Sequence, residues 1–222
     1  MASICVSRTD HTAKMRAWKI VYVAGAVTAA GLLARSVRNG HSAEFDRTVT
    51  LAIQRRKGER FSRLMWLASW AGFPPQSRTL PFVFPSLFAL AGLHRDAAFQ
   101  VAGWGTSAIS FVVKSLMQRP RPFGDEYTIH KANIGGTSFP SGHVINYIGV
   151  YGTLGVILAH RIRSVVLRTL LVGFIGLKIV LVGPSRIYLG HHWFTDVLTS
   201  YLLGSSYVVV LSSFYTRARH KR

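Results

Sequence analysis

Long runs of apolar residues limit this chain's folds more than any other feature. Trp18 to Ala34, Thr79 to Leu93, Ala97 to Met117, Gly142 to Ala159, Val165 to Gly183 and Trp193 to Tyr215 mostly approach the ~20 residues a helix needs to cross a bilayer core. Only 16% of the 222 residues are charged, against about 25% in an ordinary soluble domain, and the mean hydropathy is +0.26. The predicted fold is therefore all-α: a single integral membrane domain, residues 1–222, with six transmembrane helices in one bundle. The first run follows a basic lead and lacks a small-x-small cleavage site, so it reads as a retained anchor helix. The second is short and interrupted by Pro81 and Pro85.

Residues 44–68 have another pattern. Phe45, Val49, Ala52 and Ile53, then Phe61, Leu64, Met65 and Ala68, recur at helical spacing around the basic stretch QRRKGER. This predicts an amphipathic region lying in the interface between the first two spans, its basic face toward phosphate headgroups. The net charge of +19, from 27 Lys and Arg against 8 Asp and Glu, requires an anionic partner. Anionic membrane lipids fit better than nucleic acid, because the charges are spread among apolar spans and no nucleic-acid recognition motif is present. Six spans put both termini on one side. Arg161, Arg163, Arg168 and the basic tail at 217–222 point that side toward the cytoplasm, while QRRKGER pulls the other way, and the loop charges as a whole show no clear bias between the sides. A second basic tail occupies residues 1–17. Cys5 is the only cysteine, so there is no internal disulfide. Asp125 and Glu126 have no His or Cys at ligand spacing and read as a solvated loop. Lys178 sits within the fifth span, where a charge is costly and must face protein, water or a lipid phosphate.

Three polar clusters stand at span ends, and counting spans puts all three on one side of the membrane. KSLMQRPRP carries Lys114 and Arg121 at the exit of the third span. FPSGH opens the fourth, with Ser141, Gly142 and His143. SRIYLGHHWFTD joins the fifth to the sixth and holds Arg186, His191, His192 and Asp196. His192 and Asp196 are four apart, so on a helix they share a face and can hydrogen-bond. The helix start at PSGH offers free N–H groups near Ser141 and Gly142 to an anion. Three cations, these N–H groups and two histidines suit a phosphoryl group being cleaved, one histidine attacking phosphorus and the other protonating the leaving oxygen.

The clusters, written as Lys114-x6-Arg121-Pro122, Pro140-Ser141-Gly142-His143 and Ser185-Arg186-x5-His192-x3-Asp196, resemble the three motifs of the type 2 phosphatidic acid phosphatase superfamily. The resemblance covers about residues 97–216. It implies that His192 is the nucleophile, forming a phosphohistidine, that Asp196 orients it, and that His143 is the general acid and then activates water. Lys114, Arg121, Ser141, Gly142 and Arg186 would bind phosphate, and no metal or other cofactor would take part. The substrate would be a phosphomonoester or pyrophosphate on a membrane lipid, such as undecaprenyl diphosphate, phosphatidylglycerol phosphate or phosphatidate, with the site facing away from the cytoplasm. A non-catalytic lipid-phosphate binder or transporter built on the same pocket is the alternative. His191 lies outside the motif, so at most a loop or headgroup contact is expected of it. Tyr188 and Trp193 read as interface aromatics.

Overall fold

The computed structural model describes the backbone of residues 2–130 and 135–220 and the side chains of 16–130 and 135–218. Lys221 and Arg222 of the basic C-terminal tail, the side chain of Arg219 and the side chains of residues 1–15 lie outside it. Its helices are α1 (Ala2–Arg38), α2 (Ala43–Gln54), α3 (Glu59–Ser69), α4 (Gln76–Leu90), α5 (His94–Ala102), α6 (Gly105–Met117), α7 (Gly142–Tyr147), α8 (Thr153–Arg161), α9 (Val165–Tyr188) and α10 (Phe194–His220). A π-helical turn, Ile148–Gly152, joins α7 to α8. No strand occurs among the described residues.

Among the described residues, four helical stretches are long and apolar enough to cross a membrane: Arg16–Arg38, Gly142–Arg161, Val165–Tyr188 and Phe194–Ala218. The second and third predicted spans are shorter pieces. The 15 residues of α4 reach only about 22 Å at ~1.5 Å per residue, and Pro81 and Pro85 lie within it without breaking it. The stretch from 97 to 117 is divided at Gly103 and Trp104 into α5 and α6. Close packing marks the break: a Cβ on Gly103 would lie 2.6 Å from the Gly149 carbonyl.

The long α10 is the axis of the bundle. α1 runs antiparallel along it, with Lys19 Nζ donating to Ser213 Oγ (3.2 Å) and the Tyr22 and Ser205 hydroxyls 2.6 Å apart. On another face Gly204 lets Ile148 approach, a Cβ there lying 3.1 Å from the Ile148 side chain. The π turn has a visible partner, because Gln100 Nε2 donates to the Val150 carbonyl at 2.8 Å. Such a turn shifts the register between α7 and α8, and these turns are frequent at functional sites. At the end away from the three motifs, buried Asp96 accepts from Tyr215 Oη (2.6 Å) and pairs with Arg161.

Residues 44–68 form two helices, as their spacing predicts, and both have substantial contacts with the bundle. α2 buries Asp46 and Thr50, and α3 buries Met65, Ala68 and Ser69. Met65 packs with Tyr188 and Leu189, and the Phe61 ring meets Tyr188 edge-on at 5.1 Å. Arg55, Arg56 and Lys57, between the two helices, and Arg60, in the first turn of α3, stay exposed. Lys178 resolves its burial against protein: Nζ donates at 2.6 Å to the Leu67 carbonyl, in the last turn of α3, where a helix favours a cation.

Candidate active site

The end of α6, the start of α7, the end of α9 and the start of α10 converge, bringing the three motifs together. A cavity of about 660 Å³ is lined by Lys114, Arg121, Gly142, His143 and His192. Arg186, Ser141 and Asp196 are fully buried beside these residues. The cavity continues past Asn146, Tyr147 and Tyr151 to Arg78, Phe82 and Trp104. The register of the π turn places Tyr147, Val150 and Tyr151 together on this wall.

His192 precedes α10 and is not on it. Its Nδ1 lies 2.8 Å from the Ser138 carbonyl, and its Nε2 lies 3.1 Å from Arg121 Nη1. A carbonyl only accepts and a guanidinium only donates, so Nδ1 carries the proton and Nε2 keeps its lone pair. The direct bond predicted from the four-residue spacing is replaced: Asp196 Oδ2 stands 3.6 Å from Nδ1. Asp196 instead accepts from the Ser138 hydroxyl, from the Trp193 backbone N–H (2.8 Å) and from Arg119 Nη1 (2.7 Å). The Trp193 bond is half of a capping box, in which the third helical residue reaches back to the N–H before the helix. Asp196 thus holds the residues that hold His192. Burial, and then the cations Arg121, Arg186 and Lys114, push the His192 pKa well below the ordinary histidine value, so its ring is neutral.

Arg186 has the most unusual surroundings. It is fully buried, and none of its three guanidinium nitrogens has a hydrogen-bond partner among the described residues. Its charge rests 5.1 Å above the Phe73 ring, whose edge contacts reach both His143 (5.7 Å) and His191 (6.4 Å). His143 Nε2 and Ser141 Oγ are buried and also unpartnered. The backbone N–H of Ser141, predicted to be free, donates to the Asp196 carbonyl at 3.3 Å. Gly142 and His143, in the first turn, have no helical carbonyl behind them to bond. A Cβ on Gly142 would lie 3.7 Å from Lys114 Cε, beside the cavity.

Lys114 is held by the loop that follows α6, and Arg121 by that loop and by the turn between α9 and α10. Lys114 Nζ donates to the Thr137 carbonyl (2.5 Å). Arg121 donates to the His191 carbonyl (2.7 Å) and more weakly to those of Gly135, Gly136 and Thr137. His191 makes a loop contact, Nε2 to the His130 carbonyl at 2.8 Å, but is buried; burial, then Arg186, lowers its pKa to about 3. Glu126 pairs with Arg47 (2.7 Å) on the surface. Sequence reasoning missed Arg119, Asp46, Ser138 and Phe73. Arg119 stood in plain view inside KSLMQRPRP; the others carry no local signal.

Residues 97–220 match the PAP2 superfamily. The chain belongs to this family. Phosphatidylglycerophosphatase B of Bacillus subtilis strain 168 is 32% identical over 130 residues, which are 57% of this chain and 62% of that relative. The crystal structure of a transmembrane PAP2-type phosphatidylglycerolphosphate phosphatase from Bacillus subtilis superposes with a TM-score of 0.77 at 22% identity, covering 88% of this chain and 96% of that one. Aquifex aeolicus LpxE superposes at 0.56 and 17% identity, over 77% and 93%. At these identities the two structures speak to the fold, and PAP2 membership rests on the sequence match.

Proposed function

We propose that this PAP2 protein is a metal-independent lipid phosphate phosphatase that works through a phosphohistidine on His192. The observation that carries the reading is the buried Arg186 guanidinium, with no acceptor on any nitrogen among the described residues, beside two histidines and two further cations. A buried charge left unpaired costs several kcal/mol, so the site is incomplete until an anion enters it. Phosphate oxygens supply what Arg186, Ser141 and the first turn of α7 lack.

The steps follow from the donor pattern. His192 Nε2 attacks phosphorus with its lone pair. The bond to the lipid oxygen breaks, and His143 Nε2, which takes up a proton when the bound phosphoryl group offsets the neighbouring cations, gives that oxygen the proton. His143, now neutral, takes a proton from water; the resulting hydroxide attacks the phosphohistidine, and phosphate leaves. The Ser138 carbonyl keeps Nδ1 oriented, while Asp196 stabilises the positive charge that the ring acquires. Lys114, Arg121 and Arg186 neutralise the phosphoryl oxygens throughout, the kind of fixed stabilisation worth on the order of 10²–10³ in rate per donor.

Phosphatidylglycerol phosphate is the leading substrate. The Bacillus relative is named for it, and Arg78 offers a cation at the far end of the cavity for a second anionic group. Phosphatidate and undecaprenyl diphosphate present the same phosphoryl end. The α5–α6 pair and α4 complete six membrane segments, α2 and α3 meet the headgroups of anionic lipids, and the site faces away from the cytoplasm.

Phosphate release from these three lipids by detergent-purified protein, with chelator present, tests the reading. Wild type releases phosphate and His192→Ala does not. Equal release by both would remove His192 from its role, and no release from any lipid would remove the activity.

A further inference from the structure

The matched region begins at residue 97, yet the segment that carries His192 and Asp196 is tied to α2, far upstream. Asp46 is fully buried. Its Oδ1 accepts from the Thr195 backbone N–H (2.9 Å), and its Oδ2 accepts from Thr195 Oγ1 (2.8 Å) and Arg119 Nη2 (2.7 Å). Arg119 Nη1 in turn donates to Thr195 Oγ1 and Asp196 Oδ1, both at 2.7 Å. The guanidinium lies 5.5 Å from the Trp193 ring centre. One arginine therefore spans two buried carboxylates, and every residue from Trp193 to Asp196 except Phe194 is held by Arg119 or Asp46. α2 is fastened at two further points: Arg47 to Glu126, and Gln54 to both backbone groups of Thr128 and to the Tyr188 carbonyl.

We infer that Asp46 and Arg119 are positioning residues for the reaction, and that α2 is part of the catalytic apparatus, bracing the His192–Asp196 segment. Neither touches the cavity that would hold substrate. They act through Asp196, which fixes Ser138 and through it the His192 ring. The inference rests on the proposed phosphatase reading for its catalytic consequence, but not for its geometry. Charge pairing makes the two residues one unit. Removing Arg119 leaves Asp46 and Asp196 buried without their shared cation; removing the Asp46 charge leaves Arg119 drawn to Asp196 alone.

The test uses dioctanoyl phosphatidate in detergent micelles and full-length protein. Asp46→Asn and Arg119→Gln each lower kcat on the order of 10²-fold, the cost of a small misplacement of reacting groups, with KM changed by less than about threefold. The double variant is no worse than the poorer single one, and Arg119→Lys recovers part of the loss. Additive losses, or a change in KM alone, would overturn the inference. A second readout needs no substrate: backbone amide exchange across residues 190–197 is faster in Asp46→Asn than in wild type, while the rest of α10 is unchanged. Unchanged exchange there, or faster exchange with normal kcat, would also overturn it. If wild type and His192→Ala are equally inactive, the phosphatase reading fails, and the exchange result alone decides whether Asp46 holds this segment.

Discussion

Arg186 and His191 show how far single side chains here are tuned away from stability. An unpaired buried guanidinium weakens the empty protein, and an apolar replacement of similar length removes that cost. Arg186→Met is expected to raise the thermal midpoint of the phosphate-free protein in detergent and to abolish turnover. Orthophosphate, which stabilises the wild type by mass action, will no longer shift that midpoint. His191 adds a pH dependence. Folded, it stays neutral down to about pH 3, whereas the unfolded side chain protonates near the ordinary value of about 6.5. Between those values the unfolded chain binds more protons, so stability falls as the pH drops through this window. His192, displaced in the same direction, adds to the loss. The loss of thermal midpoint between about pH 7.5 and about pH 5 should be smaller in His191→Asn than in wild type.

At the scale of elements, the crossing of the α7–α8 helix over α5 and α6 controls the shape of the cavity wall. A Cβ on Gly149 would lie 2.1 Å from Thr106 Oγ1 and 2.5 Å from the Gly103 carbonyl, and the second of these is backbone and cannot swing aside. Gly149→Val is expected to destabilise by roughly 1–3 kcal/mol or more. Gly173→Ala, with nothing within 4 Å of the new methyl, should be neutral or stabilising by up to about 1 kcal/mol. Thermal unfolding of the two variants side by side checks both. This crossing was not legible in the sequence, where 97 to 117 reads as one apolar run. What divides it is a glycine contact with a helix almost fifty residues away. The motif residues were legible because each cluster lies within a dozen residues and its letters are themselves chemical. The bond between His192 and Asp196 was misread for a local reason: the helix starts two residues after His192, so four-residue spacing does not place the pair on one face. Asp46 was illegible because, like Glu44 beside it, an acidic residue at the head of an amphipathic helix looks like a favourable first-turn charge until its partner, about 150 positions on, is seen.

Over the whole molecule, the two ends of the bundle differ in purpose. One end gathers the motifs, and the other is closed by Asp96, Arg161 and Tyr215. The 20-residue helix from Gly142 to Arg161 separates them by about 30 Å at ~1.5 Å per residue, the thickness of a bilayer core. In intact cells expressing a Cys5→Ser background, Asp125→Cys is expected to react with an impermeant maleimide, and Arg163→Cys only after permeabilisation. The reverse pattern would put the site on the cytoplasmic side.

The cavity wall has a consequence of a different kind. It runs from His192 to Pro81, Phe82 and Trp104, so its far side is apolar apart from the Arg78 cation, and Phe82 is itself open to the surroundings. On the proposed lipid phosphatase reading, a substrate with acyl chains would enter sideways, without leaving the bilayer. Its encounter with His192 is then diffusion in two dimensions, and the relevant concentration is mole fraction in the membrane. Diluting the substrate with inert lipid slows such a catalyst even when the amount per millilitre is unchanged.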